Sequence, residues 1–96
     1  MGDADAVLLY LFVASDAPKS IIAIGNIRRA LAELSDRNFS LEIVNVYEDP
    51  DRALSSRVLV TPTLLAPAAA RRLVGDLSET PQLHYFLQGL PVPLAS

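Results

Sequence analysis

The stretch Ala6–Ala14 is nine apolar residues without alternation, rich in Val, Leu and aromatic side chains. Such a run fits a strand buried on both faces, as in the middle of a parallel sheet. Ser15-Asp16-Ala17-Pro18 interrupts it. Ser15 or Asp16 is placed to cap a following helix, and Pro18 is tolerated in a first turn, where its missing N–H has no intrahelical partner to lose. Ile21, Ile24, Ile27, Leu31 and Leu34 then recur at three- and four-residue intervals. The spacing predicts a helix with those residues on its core face and Arg28, Arg29 and Glu33 off it. Gly25 falls mid-helix, where it costs roughly 1 kcal/mol against Ala, so it marks either close packing or simple tolerance. Ser35-Asp36-Arg37-Asn38 reads as a loop. Phe39–Tyr47 alternates through Phe39, Leu41 and Ile43, then turns apolar on both faces at Val44 and Val46, which predicts a second strand. A helix between two strands acts as a crossover and makes them parallel with a right-handed connection. Asp49-Pro50 opens a short helix that runs to about Ser55 or Ser56.

The second half carries a conflict. Val58-Leu59-Val60 leads through Thr61-Pro62-Thr63 into Leu64-Leu65-Ala66, a predicted strand, and Arg71–Gly75 predicts another, with Pro67 to Ala70 as the hairpin loop. Yet Ala68–Leu73 has high helix propensity and poor strand propensity. Local preference and global pattern disagree there, which singles out the region. Ser78 or Thr80 is placed to cap a final helix with Pro81 in its first turn. Leu83, Phe86, Leu87 and Leu90 form its apolar stripe, and Gly89 with Pro91 ends it. The resulting order, βαβαββα, is that of an α/β, thioredoxin-like fold with a mixed four-stranded sheet. It predicts one domain over residues 1–96 with an ordered core of about 6–90. Thr61-Pro62 stands where that fold keeps a cis proline.

Composition narrows the chemistry. A 96-residue chain with 51% hydrophobic and 20% charged residues is expected to fold as one domain and not to be disordered. Cysteine is absent, which removes disulfides, thiolate nucleophiles and sulfur-ligated zinc. Eight basic residues face eleven acidic ones, a net charge of −3, and the only adjacent basic pairs are Arg28-Arg29 and Arg71-Arg72. Without a basic run the chain is poorly suited to nucleic acid. No segment reaches the ~20 apolar residues of a membrane helix. The first apolar run follows Asp3 and Asp5, unlike the positive flank of a signal peptide, so the expected location is the cytoplasm.

Candidate sites are correspondingly few. A thioredoxin-like enzyme would carry its thiol where this chain has Ser15-Asp16-Ala17-Pro18, and a hydroxyl cannot exchange disulfides. Ser15 as a nucleophile would need a base, and the single histidine, His84, lies in the last helix with no linking motif. Asp49 and Asp51 lack EF-hand spacing and read as helix-start residues. Gly2, Gly25, Gly75 and Gly89 fall in no phosphate-loop spacing. Arg71-Arg72 would grip a carboxylate or phosphate, or blunt an exposed edge strand; the second is the commoner use. No enzyme, metal or cofactor is expected.

The motifs Leu11-Phe12-Val13-Ala14, Ala17-Pro18-Lys19-Ser20, Val44-Asn45-Val46 with Asp49-Pro50, Thr61-Pro62-Thr63-Leu64 and Arg71-Arg72-Leu73-Val74-Gly75-Asp76-Leu77-Ser78 together resemble the KaiB family. The resemblance covers about Ala6 to Leu87. It implies a non-enzymatic binding protein of the circadian clock or a related timing system, whose partner is the KaiC-like ATPase, with a KaiA-like protein or a histidine-kinase sensory domain as further candidates. It also implies switching between an oligomeric ground-state fold and a thioredoxin-like monomer. The partner-binding residues so implied are Asp16, Pro18, Lys19, Ser20, Ile22, Arg28 and Glu42. The fold-switch residues are Thr61, Pro62, Thr63, Arg71, Arg72, Gly75 and Asp76. The chain departs from the family pattern in three ways. The stretch before Arg71 is about two residues shorter, Ile22, Gly25, Glu42 and Glu48 stand where basic residues are usual, and the tail carries Pro91 and Pro93. The prolines and the short hairpin favour the thioredoxin-like state. The alternative expectation is a thioredoxin-like scaffold in stress response that binds another client.

Overall fold

The computed structural model describes residues 6–34 and 37–91. Ser35 and Asp36 of the expected loop, and Val92 and Pro93 of the tail, lie outside the described residues. Strands β1 (Val7–Val13), β2 (Phe39–Asn45), β3 (Thr63–Ala66) and β4 (Arg71–Val74) alternate with helices α1 (Pro18–Glu33), α2 (Pro50–Ser55) and α3 (Thr80–Gln88) in the order βαβαββα. The sheet order is β2-β1-β3-β4. β1 and β2 are parallel, whereas β3 is antiparallel to both β1 and β4. The nine-residue apolar run thus becomes the central strand, paired on both edges. The Thr61-Pro62 peptide is cis.

Period-2 geometry sends the β1 side chains to two different faces. Val7, Leu9, Leu11 and Val13 pack with Leu64 and Ala66 of β3 under α1 and α3. Phe12 joins Val44, Leu65 and Ala53 of α2 on the other face. That second face is thinner, because α2 is a helix of only six residues. Fully burying a Leu such as Leu9 or Leu87 is worth about 1.5–3 kcal/mol, so the larger core lies beneath α1 and α3.

Two expectations for α1 are corrected. Its core face is Ser20, Ala23, Ile27, Ala30 and Leu34, while Ile21 is 56% exposed. Small side chains let the helix lie close to the sheet, and Ile24 and Leu31 only flank the contact. Of the expected stripe, Ile24, Ile27, Leu31 and Leu34 lie in or against the core, and Ile21 alone is off the contact line. Neither Ser15 nor Asp16 caps the helix. The N-cap is Ala17, with no side-chain cap bond. Ser15 adopts a positive φ of 51° and donates its N–H to Asn45 Oδ1 instead.

The α3 caps are corrected too: Glu79 is the N-cap, and no side chain bonds there. Ser78 donates its backbone N–H to Asp76 Oδ1. The Ala-rich stretch resolves its conflict by splitting. Pro67–Ala69 forms one 3-10 turn, Ala70 closes it in the left-handed region at φ 54°, and Arg71 begins β4. Pairing with β3 overrides helix propensity, as tertiary context commonly does.

Candidate partner-binding surface

The loop between β1 and α1 is built by two short polar side chains. Ser20 Oγ accepts the Ala14 N–H at 3.0 Å, and Asn45 Oδ1 accepts the N–H groups of both Ser15 and Tyr47. These bonds hold the loop against the C-terminal ends of β1 and β2. Ser20 is 1% exposed. In this fold it positions the loop and is not a surface that a partner can touch. Asp16, Pro18, Lys19, Ile22 and Arg28 are exposed. They share the outer side of the loop and of α1 with Ile21, which the pattern had assigned to the core.

Glu42 lies on β2, opposite Tyr10 of β1. Its carboxylate is held at both oxygens by the Arg52 guanidinium of α2, at 2.6 and 3.2 Å, and that guanidinium also lies 5.0 Å from the Tyr10 ring centre. The hydrogen bond from Arg52 draws the Glu42 carboxyl below its usual range and pushes the arginine up. Glu42 is therefore exposed but not free. This ion pair also ties α2 to the sheet.

The two arginines of β4 turn to opposite faces. Arg71 Nη1 donates to the Gly89 carbonyl at the end of α3, while Arg72 donates to the carbonyls of Ser56 and Arg57 just past α2. Each side chain thus meets the negative end of a helix. The edge-strand reading holds for their place in the sheet, and both also cap helices. Gly75, at φ 120°, bonds through its N–H to Pro62 O, and Asp76 O accepts Asn26 Nδ2 from α1. Ser78 hydrogen bonds hold the Asp76 carboxyl below its ordinary range. Thr63 Oγ1 donates to Val60 O. Thr61, Pro62, Thr63, Gly75 and Asp76 thus lie together where the chain enters β3 and leaves β4, at the end of the hairpin opposite its turn at residues 67–70.

His84 Nε2 lies 3.0 Å from Glu33 Oε1, at the far end of α1 from Ser15. A 16-residue helix is about 24 Å long, which separates the two side chains by far more than hydrogen-bond reach. Among the described residues no group of three His, Asp or Glu side chains is placed to hold a metal, and no helix is long and apolar enough to cross a membrane.

A family model described as the KaiB domain matches residues 10–89. The chain belongs to the KaiB family. Circadian clock protein KaiB3 of Synechocystis sp. is 33% identical over 91 residues, 93% of this chain and 89% of the relative. Circadian clock oscillator protein KaiB of Prochlorococcus marinus (strain MIT 9312) is 34% identical over 74 residues, 75% of this chain and 70% of the relative. Among solved structures, the N-terminal domain of Synechococcus elongatus SasA aligns with a TM-score of 0.71 and 31% identity, covering 88% of this chain and 81% of that one. Chloroplastic thioredoxin z aligns at 0.66 with 18% identity over 90% of this chain and 81% of its own. That likeness shows the fold alone, and it is the thioredoxin-like one.

The motifs this chain shares with the KaiB family do not include Asn26, whose side chain ties α1 to the Asp76 carbonyl, or Arg52, which holds Glu42. Arg52 and Asn26 carried no sequence signal, since a lone polar residue with a distant partner has no periodicity; Asn45 stood in the Val44-Asn45-Val46 motif without its loop-holding role being legible. Ile21 did carry one: an apolar pair, Ile21-Ile22, cannot both face one core on a helix.

Proposed function

We propose that this chain is a non-enzymatic regulatory binding module that docks on a KaiC-like ATPase in a timing or signalling system, and that it acts as a thioredoxin-like monomer. The observation that carries the reading is the outer side of α1. Ile21 and Ile22 are 56% and 47% exposed beside Lys19, although the helix completes its core contact without them. Apolar side chains left out of the core next to a charge suit a partner surface better than a solvent surface. Family membership supplies the class of partner. The test is a pull-down of the host's KaiC homologues with the full chain, with ATP and with ADP, against an Ile22→Asp variant. Retention lost in the variant supports the reading; no retention by the unaltered chain under either nucleotide overturns it.

The acidic Glu42 and Glu48, where family members carry basic residues, favour a second reading, a scaffold for another client in stress response. Capture of a different, reproducible client that Ile22→Asp does not disturb would select it. We further propose that the chain rests in the thioredoxin-like state because the tail prolines disfavour a C-terminal strand. Replacing Pro91 and Pro93 with Val should then move population toward an oligomeric second fold, seen by size-exclusion chromatography and NMR. A variant that stays a thioredoxin-like monomer refutes that account.

A further inference from the structure

The sheet ends on β4, and no strand lies beyond it among the described residues. Backbone hydrogen bonds along an antiparallel ladder alternate from pair to pair. Gly75 donates to the Pro62 carbonyl, one step past the Thr63–Val74 pair. Leu73 and Arg71 therefore turn their backbone groups to β3, while Arg72 and Val74 turn theirs outward. Such an edge is usually blunted by a proline, a bulge or an outward charge. β4 has neither proline nor bulge, and its two guanidiniums fold back onto the carbonyls of Gly89 and of Ser56 and Arg57. Beside this open edge a groove of about 430 Å³ runs against α3, lined by Arg71, Arg72, Leu73, Gln82, Tyr85 and Phe86. Tyr85 is 82% exposed and Val74 56%.

Edge and groove together define the occupant. Outward N–H and C=O groups take an extended chain as an added strand, and the side chains beside them choose its sequence. Side chains directly opposite across a strand pair share a face. A residue facing Leu73 thus enters the groove beside Tyr85 and Phe86, and residues facing Arg72 and Arg71 meet the guanidiniums. Among the described residues neither arginine is ion-paired, and no Asp or Glu lines the groove. Two positive charges thus stand uncompensated in a chain of net charge −3. We propose that the β4 edge binds an extended acidic segment of a partner protein. It runs antiparallel to β4, with an apolar residue opposite Leu73 followed by acidic residues opposite Arg72 and Arg71. It uses none of the α1 residues assigned above to the docking surface. A second copy of this chain fits less well. β4 paired with β4 about Leu73 sets Arg72 against Val74 and Arg71 against Gly75, which leaves every guanidinium without a carboxylate.

The test uses the full ¹⁵N-labelled chain and a synthetic peptide with blocked ends, Ser-Val-Leu-Glu-Glu-Ser. Its counterpart carries lysines in place of the glutamates. In backbone NMR the glutamate peptide should shift the amides of Arg72 and Val74 and slow their exchange with solvent, with smaller shifts at Tyr85 and Phe86. The lysine peptide should leave all four unmoved. Tyr85→Ala, on a side chain the core does not use, should weaken the glutamate peptide by about fivefold or more, as loss of an aromatic anchor does. Arg71→Gln should narrow the gap between the two peptides. No shift at β4 with millimolar peptide, equal binding of both peptides, shifts confined to α1, or unchanged affinity in Tyr85→Ala each overturns the proposal. So do concentration-dependent shifts at Arg72 and Val74 without peptide, which would assign the edge to a second copy.

Discussion

Arg72 stands on β4 at the point where a sheet, a helix end and a loop converge, and its two donors reach the carbonyls of Ser56 and Arg57 at 2.7 and 2.9 Å. Exposed as it is, the fork satisfies carbonyls that α2 leaves unpaired. Arg72→Ala should lower stability by about 1–2 kcal/mol in urea unfolding, and Arg72→Lys should recover only part of that, since an ammonium cannot bridge both carbonyls in the same plane. A neutral Arg72→Ala would return the residue to a solvated edge charge. Ser20 makes a sharper case because it is buried. Ser20→Ala strands the Ala14 N–H and should cost about 1–3 kcal/mol, read from the same urea midpoint. Glu42 supplies a pH signature. Its carboxyl is depressed in the folded chain by the Arg52 hydrogen bond, so its stabilisation is complete above the unfolded value of about 4.3 and is lost as pH falls through the folded one. The stability gap between the unaltered chain and Glu42→Gln should be flat at neutral pH and shrink on acidification below about 4.3. A gap that widens there contradicts the assigned partner.

At the level of elements, two positions carry the wrong residue for their backbone. Gly25 sits within α1 with open space where a Cβ would go. Ala70 is held at φ 54°, where glycine is at ease and alanine is not. Gly25→Ala should therefore stabilise by about 0.5–1 kcal/mol, and Ala70→Gly by a few tenths, about 0.5 kcal/mol. Both are measurable as urea midpoints. If Gly25→Ala also weakens partner capture, the outer side of α1 is the docking surface. These positions also show how far the chain could be read beforehand. The element order was legible because the long apolar run, the Asp-Pro start of α2 and the Pro-Gly bracket around α3 are local signals. Ile27 and Leu34 on the contact line of α1 were legible as well, but its small members were not, because Ser20, Ala23 and Ala30 pack by being small, which hydrophobic counting overlooks. The helix caps misled for a related reason: Ser15 and Ser78 spend their backbone donors on Asn45 and Asp76, and those acceptors are set by the fold. Of the candidate surface, the exposed residues of α1 were readable. The Arg52 pairing that holds Glu42, and the burial of Ser20, were not.

For the molecule as a whole, the topology sets an order of opening. β1 is paired along one edge by β2 and along the other by β3, and Leu9, Leu11 and Phe12 are fully buried. β4 is an edge strand of four residues, and α3 follows it through the Gly75–Asp76 turn. Side-chain bonds from Asn26 and Arg71, the Glu33–His84 contact, and the buried Leu83, Leu87 and Leu90 fasten this unit. Local opening follows such boundaries, with contiguous units released at less than the global free energy. Native-state hydrogen exchange should therefore find the β1 amides slowest, at the global limit. The amides of Leu73 and α3 should share one lower opening energy that falls further with mild urea. Asn26→Ala removes the tie from α1 to the Asp76 carbonyl, and it should lower the opening energy of β4 and α3 by about 1 kcal/mol more than that of β1. That difference separates a local fastening from a general loss of stability. It also bears on the proposed second fold, since a half that opens alone has a route to rearrange that a uniformly cooperative domain lacks. If β1, β4 and α3 exchange at one energy, and Asn26→Ala shifts them equally, the chain opens only as a whole.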